Sequence, residues 1–213
     1  MTVTSPVPAR PAIKAVVFDL DGTLVDSRLD FAAICSDIGW PVGTPLLEQL
    51  ATVSCLTEKT RVEQIIHQHE LAGAEAASWI PGALESLQQL TEQGWPLAIL
   101  TRNMRRATEH VVNRLQIPIS LVLTREDCAA KPDPAGLQLI AKQLQLACAE
   151  ILYVGDYLFD IQVAANAGSL SCLYVNGVNQ QFIAQADFHI NHFNQLPALV
   201  AQLSGRYSRA DTV

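Results

Sequence analysis

No apolar run in the 213-residue chain approaches the ~18 residues that a membrane-spanning helix needs, so no membrane partner is expected. Basic residues are scarce: 14 Lys and Arg stand against 21 Asp and Glu, for a net charge of −7. Nucleic-acid backbones are bound by an excess of Lys and Arg, so a nucleic-acid partner is not expected either. Cysteine is sparse and scattered, at Cys35, Cys55, Cys128, Cys148 and Cys172, with no CxxC spacing. That argues against a disulfide framework or a zinc knuckle and predicts reduced, buried thiols in a cytoplasmic protein. The opening MTVTSPVPARPAIK lacks the basic start and apolar run of a secretory signal. Its prolines predict a flexible arm over 1–12, and the polar SGRYSRADTV predicts a frayed tail over 205–213. With 49% hydrophobic and 16% charged residues, the composition is too apolar for disorder. A chain of this length buries about 70–75% of its unfolded surface and needs no covalent staples.

What is present is a recurring alternation. Near-continuous apolar runs over 13–19, 96–101, 119–124, 150–155 and 170–175 read as strands buried on both faces. Between them lie helical patterns. Leu84, Leu87 and Leu90 share one face over 82–93, and Ala107, Val111 and Leu115 do so over 104–115. Asp133-Pro134 reads as a cap followed by proline at the first helical position. Gly168 reads as the stop of a helix over 158–167. Strand–helix alternation of this kind predicts an α/β fold: an open parallel sheet with helices on both faces. From the first strand to Pro81 the chain breaks the pattern, with helices near 28–39, 44–55 and 58–71 and no convincing strand. A helical insert there would stand over the carboxyl ends of the strands, where open α/β sheets bind ligands, and is a candidate lid.

Carboxylates gather at those strand ends. The first strand runs into Asp19-Leu20-Asp21-Gly22-Thr23, whose plainest reading is an ordinary Asp-Gly turn but whose paired carboxylates point to a cation. Two neighbouring carboxylates repel, and a cation between them relieves the repulsion; oxygen-only ligands favour magnesium. The fourth strand ends in Gly155-Asp156, and Asp160 lies four residues on at a helix start, where capping is the simpler role. The second ends in Thr101-Arg102-Asn103, a hydroxyl beside free backbone N–H groups that can hold an anion. After the third comes Lys131 in a stretch stiffened by Pro132 and Pro134; alone, it would be a solvated lysine.

Taken together and in order, Asp19-x-Asp21-Gly22-Thr23, Thr101, Lys131-Pro132 and Gly155-Asp156-(x)3-Asp160 resemble the haloacid dehalogenase superfamily. The resemblance spans roughly residues 13–180 and is greatest to the phosphatase branch that includes phosphoglycolate phosphatases. It implies a Rossmann-like core over 13–26 and 81–204 and a helical cap over 27–80. It further implies Asp19 as nucleophile and Asp21 as the acid and base. Magnesium would be held by Asp19, the backbone carbonyl of Asp21, Asp156 and, directly or through water, Asp160. Thr101 and Lys131 would hold phosphoryl oxygens, and Arg102 the phosphate or the substrate body. Two features depart from the commonest pattern: Arg102 follows Thr101 where Asn is frequent, and the insert is short.

The implied activity is magnesium-dependent hydrolysis of a small phosphorylated metabolite through an aspartyl phosphate. The retained Asp21 and Thr23 set it apart from dehalogenases and from many sugar-phosphate mutases; a mutase is the alternative enzyme. A non-enzymatic binding module on the same fold would be expected to lose Asp19, Asp21 or Lys131, and none is lost. Lys59 and Arg61 read as a solvated helix face, and His67 and His69, two apart on a helix, diverge too far for a zinc pair.

Overall fold

A computed structural model describes residues 11–205. The expected arm falls almost wholly, and the expected tail all but Gly205, outside the described residues. Six parallel strands form the sheet: β1 (Ala15–Phe18), β4 (Leu97–Leu100), β5 (Leu121–Leu123), β6 (Ile151–Gly155), β7 (Leu170–Tyr174) and β8 (Phe188–Ile190). Their order is β5-β4-β1-β6-β7-β8. The helices are α4 (Ala83–Glu92), α5 (Arg105–Leu115), α6 (Ala135–Leu144), α7 (Leu158–Ala167) and α8 (Leu196–Leu203).

Strand β1 is central and wholly buried, and its period-2 alternation divides the core. Val16 and Phe18 join Ile99, Leu152 and Val154 in a cluster that includes Leu87 and Leu90 of α4 and Val111 of α5. Ala15 and Val17 face the other way, to Leu100, Tyr153 and the α6 residues Leu137 and Ile140. Each large apolar side chain fully buried in this way contributes about 1.5–3 kcal/mol over its exposed state. The α/β sheet with helices on both faces expected from the alternation is therefore present, with α8 and β8 added. The run over 188–190 is short, has exposed His189 at its centre and pairs only with β7, so it lacks the long apolar signature of the inner strands.

The insert between β1 and α4 contains strands after all. Two-residue β2 (Val25–Asp26) and β3 (Ser78–Trp79) pair antiparallel and form a stem. Beyond it come α1 (Phe31–Ile38), α2 (Leu46–Thr52) and α3 (Leu56–Ala76). Asp30 caps α1 by accepting from the Ala33 N–H, and Gly39 ends it at φ 88°, a left-handed conformation that glycine adopts without a Cβ clash. The three helices share their own apolar cluster, including Ile34, Ile38, Leu46, Val62 and Ile66. The far end of α3 instead packs on the main core: Leu71, Ala74 and Ala77 join that cluster, and Arg114 of α5 donates to the carbonyls of Ala74 and Ala77.

Because all six main strands run the same way, the residues that follow β1, β4 and β6 emerge on one edge. The chain builds from β1 toward β4 and β5, then crosses back to β6 on the other side. This reversal opens a crevice at the carboxyl ends of the central strands.

Candidate active site

Asp19 is the first residue beyond β1, and its N–H donates to Val154 O of neighbouring β6, which pins it at the strand end. Gly22, at φ 83°, then turns the chain. A Cβ at Gly22 would lie 2.6 Å from Asp156 Oδ2, so only glycine lets the two acidic strand ends approach this closely. Gly155 makes the second such approach, since a Cβ there would lie 2.2 Å from Asp160 Cγ.

Lys131 is 3% exposed and lies between two carboxylates, its Nζ donating at 2.6 Å to Asp19 Oδ1 and at 2.6 Å to Asp160 Oδ1. The other oxygen of Asp160 accepts from the Tyr157 N–H at 2.9 Å, closing the first turn of α7. The Thr23 hydroxyl reaches Asp19 Oδ2 at 3.5 Å and Asp156 Oδ1 at 3.4 Å. One oxygen each of Asp19, Asp156 and Asp160 lies within 4.8 Å of the others, a spacing that suits a cation. Asp21 turns elsewhere: its Oδ2 accepts from Asn103 Nδ2 at 3.0 Å and faces the Thr101 hydroxyl at 3.5 Å. Its Oδ1 is buried without a partner; among the described residues the only other such side-chain atom is Thr108 Oγ1. An unpaired buried carboxylate oxygen costs about 1–3 kcal/mol or more and is an acceptor open to a ligand.

The electrostatics follow from burial and crowding. Burial, with Asp160 and Asp21 adding to it and Lys131 opposing, pushes Asp19 up to about 7. Burial, then Asp160 and Asp19, pushes Asp156 up to about 8. For Lys131, burial works against its charge, but Asp160 and Asp19 outweigh it and hold the ammonium well above its ordinary value. A cation among these carboxylates would stabilise their ionised forms.

The raised value of Asp156 has a consequence for stability. Its folded pKa of about 8 exceeds the ordinary 3.8, so folding favours the protonated form, and metal-free stability falls as pH rises from about 4 to about 8. Asp156→Asn keeps the shape and removes the charge. In EDTA the variant is expected to unfold at higher temperature than the parent, with the gap widening toward pH 8 to on the order of 2 kcal/mol, or about 4–8 °C. Melting curves at pH 5 and pH 8 check this, and a gap that does not depend on pH would contradict the crowding.

All the strand-end residues expected from the sequence meet at this edge: Asp19, Asp21, Thr101, Lys131, Asp156 and Asp160. Arg102 is there too but engaged elsewhere. Its Nη2 donates to both oxygens of Glu48 on α2, at 2.8 and 2.9 Å, its Nη1 to the Lys131 carbonyl, and its guanidinium lies 4.3 Å from the Phe159 ring centroid. A second arginine repeats the pattern. Arg125 holds Glu70 of α3 through two bonds, at 2.5 and 2.8 Å, and donates to Arg102 O at 2.9 Å. Burial raises the Glu70 carboxyl, and Arg125 opposes it. Two ion pairs, the second of them bidentate, thus tie the insert to the loops after β4 and β5.

Asn103, Glu48, Glu70, Arg125 and Asn179 were not singled out in the sequence. Asn179 is buried and donates to Asp156 O at 2.6 Å and Tyr174 O at 2.8 Å, fixing the end of β6. Asn103 alone left a trace, two residues beyond Thr101 at the same strand end. Arg61 pairs with Glu58 and His69 with Asp37, away from the carboxylates. All five cysteines are free; Cys35 and Cys172 are buried, Cys128 and Cys148 are half-buried, and Cys55 is exposed, against the expectation of uniform burial. Between the strand ends and the insert lies a cavity of about 490 Å³, with Asp19, Asp21, Lys131 and Asp156 on one side and Leu46 and Ile66 on the other. No helix among the described residues is long and apolar enough to cross a membrane.

Comparison with known proteins gives a family and a fold. Residues 16–173 match the family described as haloacid dehalogenase-like hydrolase. An uncharacterized hydrolase of Saccharomyces cerevisiae is 29% identical over 203 residues, covering 90% of this chain and 93% of the yeast protein. A phosphoglycolate phosphatase of Cereibacter sphaeroides is 28% identical over 215 residues, covering 88% and 98%. In structure, a hydrolase of family IA, variant 3, from Entamoeba histolytica superposes with a TM-score of 0.74 at 16% identity over 91% of this chain and 100% of that one, a likeness of fold.

Proposed function

The chain belongs to the haloacid dehalogenase-like hydrolases, in the branch that includes the phosphoglycolate phosphatases, and from that premise we propose that it hydrolyses small phosphomonoesters with magnesium, through an aspartyl phosphate on Asp19. The observation that carries the reading is the juxtaposition of Asp19 with Lys131 2.6 Å away and Asp21 with an unpartnered buried oxygen beside it. Asp19 attacks phosphorus as the ester P–O bond breaks, and Asp21 gives its proton to the departing alkoxide. Asp21 then takes a proton from water, whose oxygen attacks phosphorus, releasing phosphate and restoring Asp19. Lys131 and Thr101 offer donors to phosphoryl oxygens. Arg102 already spends Nη2 on Glu48 and Nη1 on the Lys131 carbonyl, so we assign it to holding the insert against the Lys131 loop. Helices α1–α3, as a cap over the site, exclude water from it.

The cluster of Asp19, Asp156 and Asp160 supports a magnesium site, because its donors are oxygen only and crowding leaves them short of positive charge. Asp19 and Asp156, with the Asp21 carbonyl, would hold the ion. Asp160, held by the Lys131 ammonium at 2.6 Å and by the Tyr157 N–H at 2.9 Å, would support the ion directly or through water. When bound, magnesium supplies charge that offsets repulsion between carboxylate and phosphate. A mutase on the same scaffold would return the phosphoryl group to a sugar; release of inorganic phosphate separates the two.

Purified protein is expected to release phosphate from para-nitrophenyl phosphate with magnesium and not with EDTA. Beryllium fluoride is expected to bind beside Asp19 as a phosphoryl mimic. Release of no phosphate, or a mimic bound elsewhere, would rule out the reading.

A further inference from the structure

The far side of the cavity has a chemistry that the strand ends do not. Six carboxylates line the cavity against three cations, Arg28, Arg102 and Lys131, and of the six Glu70 is matched from outside by Arg125. Lys131 is committed to Asp19 and Asp160, and Arg102 to both oxygens of Glu48. Arg28 is exposed, and pairing between solvent-exposed charges is worth only about 0–1 kcal/mol. A substrate with a carboxylate beside its phosphate would bring further negative charge into an acidic enclosure in which two of the three cations are already paired.

Apolar and aromatic surface is what the enclosure offers instead. Leu29, Leu46, Leu47 and Ile66 line it from the insert. The chain is only 6% aromatic, yet Phe31, Tyr157 and Phe159 line this one cavity. Phe31 is 61% exposed and Tyr157 51% exposed. Tyr157 meets Phe159 edge-on, with centroids 5.3 Å apart, and Phe182 at 5.5 Å. Scattered exposed aromatics are ordinary, but rings on the wall of a cavity with a polar floor have the composition of a small-molecule site. At about 490 Å³ the space is within the range of drug-sized ligands and ample beyond a two-carbon ester.

We propose that the substrate is a phosphomonoester whose body is a flat aromatic or heteroaromatic ring with no carboxylate beside the phosphate. The phosphate sits at Asp19 and Lys131, and the ring lies against the apolar wall. This rests on the phosphatase reading, and the test separates the two.

With magnesium, kcat/KM is measured on the full chain for pyridoxal 5′-phosphate, phenyl phosphate, ribose 5-phosphate and phosphoglycolate. The ring-bearing esters are expected to exceed phosphoglycolate by about tenfold or more, the factor that about 1.4 kcal/mol of discrimination gives. Phe31→Ala and Tyr157→Ala, both at exposed positions, are expected to raise KM for the ring-bearing esters by about three- to tenfold and to leave KM for ribose 5-phosphate unchanged. Phosphoglycolate matching or exceeding the ring-bearing esters would overturn the inference and leave the phosphatase reading standing. So would KM rising equally for all four esters in the two variants, or an Arg28→Ala loss confined to phosphoglycolate as the best substrate. Hydrolysis of none of the four would overturn both readings.

Discussion

Asp19→Asn is expected to abolish turnover, by about four orders of magnitude or more, while leaving the fold intact. The amide has nearly the shape of the carboxylate but is a poor nucleophile. Two features protect the fold. The backbone N–H of residue 19 stays bonded to Val154 O, and Lys131 keeps Asp160 as its counter-charge at 2.6 Å. Removing one of the crowded carboxylates also relieves repulsion on Asp156, so the metal-free variant is expected to melt no lower than the parent at pH 8. Single-turnover phosphate release together with a melting curve checks both parts. Hydrolysis within tenfold of the parent would remove Asp19 from the nucleophile's role.

Lys131→Met is expected to damage activity and stability together. It takes the one buried ammonium from between Asp19 and Asp160 and leaves two buried carboxylates facing each other, with Asp156 close by. Breaking a buried pair by deleting one partner costs about 3–5 kcal/mol. The pH dependence gives the cause away. Without the ammonium, the carboxyls of Asp19 and Asp156 rise further above their ordinary values, and stability that is present while they are protonated is lost as pH increases through neutrality. The gap between variant and parent should therefore be small near pH 4 and large at pH 8, where magnesium should restore part of it. A loss of stability equal at both pH values would point to lost packing of the lysine stem instead.

The inner strands were legible because they are buried on both faces. Ala15–Phe18, Leu97–Leu100 and Ile151–Gly155 are apolar without interruption. Helices α4 to α7 were legible from their 3.6-residue spacing and their stops. The misses share a cause, which is weak local information. β2 and β3 are two residues each, and β8 has three residues with an exposed histidine at its centre. Such segments become strands only because a partner is brought alongside.

The site divides along the same line. Asp19, Asp21, Thr101, Lys131, Asp156 and Asp160 could be picked out because each follows a recognisable strand end or shares a short motif with its neighbour. Asn103, Asn179 and the pairs Arg102–Glu48 and Arg125–Glu70 could not. Glu48 lies 54 residues from Arg102, and Glu70 lies 55 from Arg125, in helices whose docking the chain order does not specify. Arg102 is the instructive case. Its residue type and place predict an anion partner, and the anion it found is a carboxylate on the insert.

Residue types, their spacing and their order along the chain determined the parallel α/β architecture, the strand ends that carry polar groups and the class of chemistry those groups can do. Those properties are local, set by side-chain period, backbone preference and functional group. Tertiary structure alone decided that Lys131 lies 2.6 Å from a carboxylate 112 residues away, that Asp156 is pushed up to about 8, and that apolar and aromatic side chains wall the space above them. Distance and desolvation set those quantities, and both belong to the packed assembly of segments rather than to any one of them.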